Sequence, residues 1–216
     1  TRRSSDLLAM CNELFDGALA ETASFLAGLG YTGLELAPYT LCEDVRDLTN
    51  AERQRLRREI EDNGLHVAGL HWLLAHTEGK HLCSPEASQR KAAEDYLLAE
   101  IDLCAELGGN ILVLGSPAQR NPCQAVALAE AWGWFMQTMA RCGERAADYG
   151  LTFCIEALPG PECEFITCVD ESIELVDKVD RPGFGLMVDV KAMANDPRPI
   201  AEQIQLAGKR IRHVHV

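Results

Sequence analysis

Residues 86–116 read EASQRKAAEDYLLAEIDLCAELGGNILVLGS, and the way this stretch is built recurs along the whole chain. In its first part Ala93, Leu97, Ile101, Cys104 and Leu107 return at helical spacing and make one apolar stripe. Gly108 then closes the helix, because a glycine adopts the left-handed conformation of a helix end with no Cβ to oppose it. Ile111-Leu112-Val113-Leu114 follows without polar alternation, which is how a strand covered on both faces reads. The strand ends on a polar loop that opens Gly115-Ser116.

Working outward, the same order of parts appears on both sides. Further apolar runs lie at Leu7-Leu8-Ala9-Met10-Cys11, Gly33-Leu34-Glu35-Leu36, Val67-Ala68-Gly69-Leu70, Thr152-Phe153-Cys154-Ile155, Phe184-Gly185-Leu186-Met187-Val188 and Ile211-Arg212-His213-Val214-His215. The count is seven strands and six intervening helices. Glycines at positions 30, 64, 108 and 150 mark helix ends at intervals of 34, 44 and 42 residues, about one strand plus one helix each. Two helix starts carry caps: Thr49 with Glu52 predicts a capping box, and Ser84-Pro85 predicts an N-cap followed by proline at the first helical position. Strands separated by helices imply a parallel sheet.

Such elements fit either an open doubly wound sheet or a barrel. No Gly-x-Gly-x-x-Gly follows the first strand and no phosphate-binding P-loop occurs. Polar residues instead gather at the strand ends: Asn12, Glu13, Glu35, His71, Ser116, Glu156, Asp189 and His215. A barrel presents those ends at one mouth. The expected fold is therefore α/β, a (β/α)8 TIM barrel forming a single domain over residues 1–216. The chain stops at Val216, directly in the seventh strand, so a truncation is expected that removes the C-terminal βα unit of roughly 40–60 residues.

Composition narrows the partners. At 216 residues and 47% hydrophobic, the chain can bury one large core. The formal net charge of −13 opposes nucleic acid and anionic membranes. The basic stretch Arg53–Arg58 is flanked by Glu52, Glu59 and Glu61 and reads as a solvated helix face. No apolar run approaches the ~20 residues of a membrane helix. The basic opening Thr1-Arg2-Arg3-Ser4-Ser5 is not followed by a signal-peptide apolar stretch. Nine cysteines without a C-x-x-C pair favour a reduced, cytoplasmic setting, with Cys11, Cys104 and Cys154 read as small core residues. Partners are then a small molecule, with a homo-oligomer left open.

Glu156, Asp189 and His215 end three successive strands. Two carboxylates and an imidazole suit manganese, cobalt, magnesium or zinc with a coordination position left for substrate oxygens. A single polar residue at a barrel rim signifies little; three in succession carry more. His213 shares the face of His215, and only one of them is needed as a ligand. Glu162, His71, Arg120, Lys191, Glu35 and Asn12 are the candidate substrate contacts, each with a plainer reading as a packed or paired polar residue. The other histidines, His66, His76 and His81, read as surface or loop residues, and Trp132-Gly133-Trp134 as packing or an oligomer surface.

The chain resembles the xylose-isomerase-like TIM-barrel superfamily, most closely its sugar phosphate isomerase/epimerase group, which includes ketose 3-epimerases and hydroxypyruvate isomerase. The likeness rests on Ile155-Glu156, Leu186-Met187-Val188-Asp189-Val190-Lys191 and His213-Val214-His215, with support from Gly33-Leu34-Glu35-Leu36-Ala37-Pro38, Gly69-Leu70-His71-Trp72 and Gly115-Ser116-Pro117. The resemblance implies that Glu156, Asp189 and His215 bind a divalent metal and that Glu162 is a carboxylate on the substrate side. It implies a fourth ligand, a Glu on an eighth strand that lies outside this sequence. It also implies proton transfer through a metal-stabilised enediolate, with Glu156 as both ligand and acid/base. Ala192 stands where ketose 3-epimerases carry a His, so the substrate stays open. A polyol dehydratase and a non-catalytic sugar-binding module remain alternatives. An apurinic-site endonuclease is disfavoured by six His and the acidic charge.

Overall fold

A computed structural model describes residues 7–216; the basic opening Thr1–Ser5 lies outside them. The strands are β1 (Ala9–Cys11), β2 (Gly33–Leu36), β3 (His66–Leu70), β4 (Ile111–Leu114), β5 (Thr152–Glu156), β6 (Phe184–Asp189) and β7 (Ile211–His215). They form one parallel sheet of seven in chain order. A doubly wound sheet reverses its order at a switch point. Here the order never reverses, so that alternative is removed.

The sheet also curls. Nε2 of His215 and of His213, both on β7, lie 3.0 and 3.3 Å from Oε2 of Glu35 on β2. Strands at opposite ends of the sheet meet through side chains only if the sheet bends back on itself. The architecture is a partial TIM barrel.

Six helices of eight residues or more cover the convex side: α1 (Leu19–Gly28), α2 (Asn50–Glu61), α3 (Ala87–Leu107), α5 (Leu128–Asp148), α6 (Val169–Val179) and α8 (Ile200–Ala207). Two single turns, α4 (Pro117–Arg120) and α7 (Val190–Met193), follow β4 and β6. The Thr49–Glu52 capping box forms at the start of α2. Gly30, Gly64, Gly108 and Gly150 all have positive φ, as helix-end glycines require. The cap expected at Ser84 is displaced: α3 begins at Ala87 with Glu86 as its N-cap. Ser84 Oγ accepts from Glu86 N–H, and Arg90 holds the Ser84 and Pro85 carbonyls, so these two residues make a turn ahead of the helix.

Residues two apart on a strand share a face. Phe153 and Ile155, Leu112 and Leu114, and Leu186 and Val188 pack outward into the core between sheet and helices. The alternate residues Val113, Cys154 and Met187 form a separate small cluster on the inner side. One pleat further along, that inner register brings Gly115, Glu156 and Asp189 to the mouth. Gly69 on β3 is required by close packing: a Cβ there would lie 2.0 Å from the Ile111 carbonyl oxygen. Among the described residues no helix is long and apolar enough to cross a membrane. The nine cysteines are all unpaired.

Candidate metal centre and its cavity

Glu156, Asp189 and His215 come together at the mouth, each at the end of its strand. Their ligand-type atoms lie within 4.8 Å of one another. The register explains this, since Asp189 on β6 pairs with His215 on β7 and Glu156 on β5 pairs with Met187, two residues before Asp189. Asp189 Oδ1 accepts from the Ala192 N–H at 2.7 Å, which fixes its carboxylate at the start of α7. Room for Glu156 depends on an absent side chain: a Cβ at Gly115 would lie 2.5 Å from Glu156 Oε2. This cradle and the donor set of two carboxylates and one imidazole fit a hard or borderline divalent cation.

Burial and mutual charge perturb the groups at this mouth. Burial pushes the Glu156 carboxyl above its ordinary range, partly offset by His215. Burial would also raise Glu35, but hydrogen bonds from His213 and His215 outweigh it and hold that carboxyl well below the usual range. For His215 burial acts against the charged ring, yet the Glu35 hydrogen bond and the neighbouring carboxylates push its pKa up.

The three residues line a cavity of about 260 Å³, just below the roughly 300–1,000 Å³ of ligand pockets. His71, Glu162 and Lys191 also line it. His71 Nε2 lies 2.9 Å from Glu13 Oε2. Lys191 Nζ donates to Glu162 Oε1 at 2.8 Å, and both residues stand at the exposed rim.

Three of the expected substrate contacts lie elsewhere. Arg120 is 0% exposed, and its guanidinium donates to the carbonyls of Glu156 (2.7 Å), Ile166 (3.1 Å) and Leu114 (3.4 Å) and to Cys163 Sγ (3.2 Å). With its donors taken up by three backbone carbonyls and the Cys163 sulfur, it fastens both ends of the loop that carries Glu162 and does not line the cavity. Asn12 is buried; its amide joins Ala37 N–H (2.8 Å) to Thr40 Oγ1 (2.7 Å) and so ties β1 to the turn after β2. Glu35, 2% exposed, sits beneath the mouth as the partner of both β7 histidines.

Sequence reasoning overlooked other lining residues. Cys11, read as core, lines the cavity. Burial pushes its thiol pKa up, and so do the charges of Glu35, Glu13 and Glu156. Glu13 was visible as a strand-end carboxylate but was not placed in the site. Trp72 is 48% exposed at the cavity and donates its indole N–H to Glu13 Oε1 at 3.2 Å. Its φ of 55° begins a loop in which Leu74 and His76 are also left-handed. Non-glycine residues occupy that region at a cost, and strained backbone of this kind concentrates at functional sites. No local sequence signal marks it.

The pattern that defines the family described as "Xylose isomerase-like TIM barrel" matches residues 23–216. The chain belongs to that family. Among curated relatives, a D-psicose 3-epimerase of Agrobacterium fabrum (strain C58 / ATCC 33970) is 23% identical over 193 residues, covering 88% of this chain and 64% of the relative. The chain thus spans less than two thirds of that relative's length. Among solved structures, the D-psicose 3-epimerase of Clostridium cellulolyticum H10 with D-tagatose superposes with a TM-score of 0.82 at 20% identity, covering 96% of this chain and 71% of that one. An L-ribulose 3-epimerase superposes with a TM-score of 0.82 at 18% identity, covering 97% and 69%. At these identities the structural likenesses establish the xylose isomerase-like fold.

Proposed function

We propose that this xylose isomerase-like chain carries the cation-binding part of a sugar isomerase or epimerase. The observation that supports this most directly is the convergence of Glu156, Asp189 and His215 within 4.8 Å at a cavity of small-ligand size. The curated relative that acts on a ketose points to the same substrate class.

His215 donates Nε2–H to Glu35, which leaves the Nδ1 lone pair for a cation. Glu156 and Asp189 supply the anionic oxygens. A divalent ion bound there would act as a Lewis acid toward the oxygens of a carbonyl and its neighbouring hydroxyl. Glu156 would take a proton from the carbon beside that carbonyl. Returning it to the adjoining carbon isomerises the sugar, whereas inversion at the same carbon needs a second proton donor on the opposite face. Glu162 and Lys191 would contact hydroxyl groups at the rim. His71, held by Glu13, bounds the cavity on another side. The −13 net charge argues against nucleic acid as the ligand.

The test is solvent-proton exchange into a panel of ketoses and aldoses by chelator-treated protein, with and without added manganese, cobalt, magnesium or zinc. Exchange is expected only with metal and is expected to disappear in Glu156→Gln. Exchange at full rate in that variant, or in the presence of excess chelator, would remove the assigned role.

A further inference from the structure

A second set of donors lines the same cavity. Cys11 Sγ, the Glu13 carboxylate and the His71 imidazole have ligand-type atoms within 4.8 Å of one another. They come from three places in the fold: the last residue of β1, the 3-10 turn that follows it, and the residue after β3. None is exposed, and all three face the cavity. The set is a thiol, a carboxylate and an imidazole, three donor types that zinc-class cations accept.

Charge around the mouth argues the same way. Glu13, Glu156, Glu162 and Asp189 line the cavity, and Glu35 lies directly beneath it. Among the described residues the only Lys or Arg in that lining is Lys191, and Glu162 holds its ammonium at the rim. One divalent ion on Glu156, Asp189 and His215 balances two of these carboxylates. Glu13 keeps its charge, beside a thiol and an imidazole that are both cation ligands.

We propose that Cys11, Glu13 and His71 hold a second divalent cation beside the first, of the zinc or cobalt class. A thiolate among the ligands selects that class over magnesium and calcium. Binding would release the Cys11 proton to solvent, and coordination through His71 Nε2 would move the hydrogen now shared with Glu13 to Nδ1. Three protein ligands leave a fourth position open toward the cavity, where a substrate hydroxyl enters. The proposal rests on reading this cavity as a cation-dependent centre, and it adds a ligand set that differs from Glu156, Asp189 and His215.

The experiment is a Co²⁺ titration of the chelator-treated chain, followed by equilibrium dialysis and by absorption. The expected result is two equivalents per chain with a near-ultraviolet thiolate-to-cobalt charge-transfer band. Cys11→Ser should lose that band and one equivalent, and Asp189→Asn should lose the other equivalent and keep the band. If Cys11→Ser fails to keep the native circular dichroism, His71→Asn is expected to lose the same equivalent. One equivalent in the native protein, or two without the thiolate band, overturns the second cation; a single equivalent that Asp189→Asn abolishes leaves the function proposed above standing. No cobalt binding at all overturns both.

Discussion

Glu35 and His215 stand 180 residues apart in the chain and 3.0 Å apart in space, and this contact links the closing of the sheet to the orientation of a candidate ligand. The carboxylate accepts from His215 Nε2–H, which leaves Nδ1 as the nitrogen whose lone pair a cation could take. Glu35→Gln keeps the shape but removes the charge. Cation affinity is expected to fall 10–100-fold, the range seen when such supporting carboxylates are altered. Isothermal titration with Mn²⁺ checks it; unchanged affinity would mean that His215 is oriented by other contacts.

Arg120 supplies a second prediction, because its guanidinium bridges the Glu156 and Ile166 carbonyls at either end of the Glu162 loop. Ile166 has φ of 63°, a conformation a β-branched residue holds only under constraint. A lysine has no planar fork with which to meet several carbonyls. Arg120→Lys is expected to lower stability by roughly 3 kcal/mol, at the upper end for hydrogen bonds to a charged group. Urea unfolding measures this, and limited proteolysis should cut first within residues 157–166. A loss under 0.5 kcal/mol would show that the loop is held without Arg120.

How far the sequence was legible follows from how local each signal is. Strand runs, helix-end glycines and the Thr49 capping box depend on neighbours within a few residues, and they appear where the pattern puts them. That Glu156, Asp189 and His215 converge was legible because a strand end in a parallel barrel has only one mouth to face. The protein partners of Arg120, Asn12 and Glu35 were not legible. A polar residue after a strand looks the same whether it meets a ligand or a backbone carbonyl from 36 residues away, as Arg120 does at Glu156. Ser84 was misplaced for a local reason: the same side chain caps a helix or closes a turn, and Arg90 decided between them by taking the carbonyls.

Glu100 predicts a pH effect on stability. It is fully buried on α3, accepts one N–H from Leu74 through Oε1, and has no partner for Oε2 among the described residues. Burial pushes its pKa well above the ordinary carboxyl value. Above about pH 4 the unfolded chain releases this proton while the folded chain keeps it. The folded state then binds more protons, so this group makes stability fall as pH rises, by at most about 1.4 kcal/mol per pH unit. Glu100→Gln has no such slope. Denaturation at pH 4, 5, 6 and 7 should show the variant gaining on the native protein with each step. A constant difference across that range would show that Glu100 titrates alike in both states.

Gly115 separates space from chemistry at the centre itself. Its φ is ordinary, so alanine is permitted by the backbone, and only the 2.5 Å approach of the added Cβ to Glu156 Oε2 opposes it. The cheapest relief is rotation of the Glu156 side chain, the freest group nearby. Gly115→Ala should therefore fold with a loss of about 1–3 kcal/mol, the usual range for overpacking. Cation affinity, and any proton exchange into sugars that depends on it, is expected to drop at least tenfold, because a carboxylate moved by an ångström no longer meets the Asp189 and His215 atoms. Gly115→Ser should be no better, since its hydroxyl adds bulk on the same Cβ. Calorimetric stability and Mn²⁺ affinity measured on the same samples distinguish this from general unfolding: affinity lost with stability largely retained is the expected pair, and affinity retained would place Glu156 outside the cation's coordination sphere.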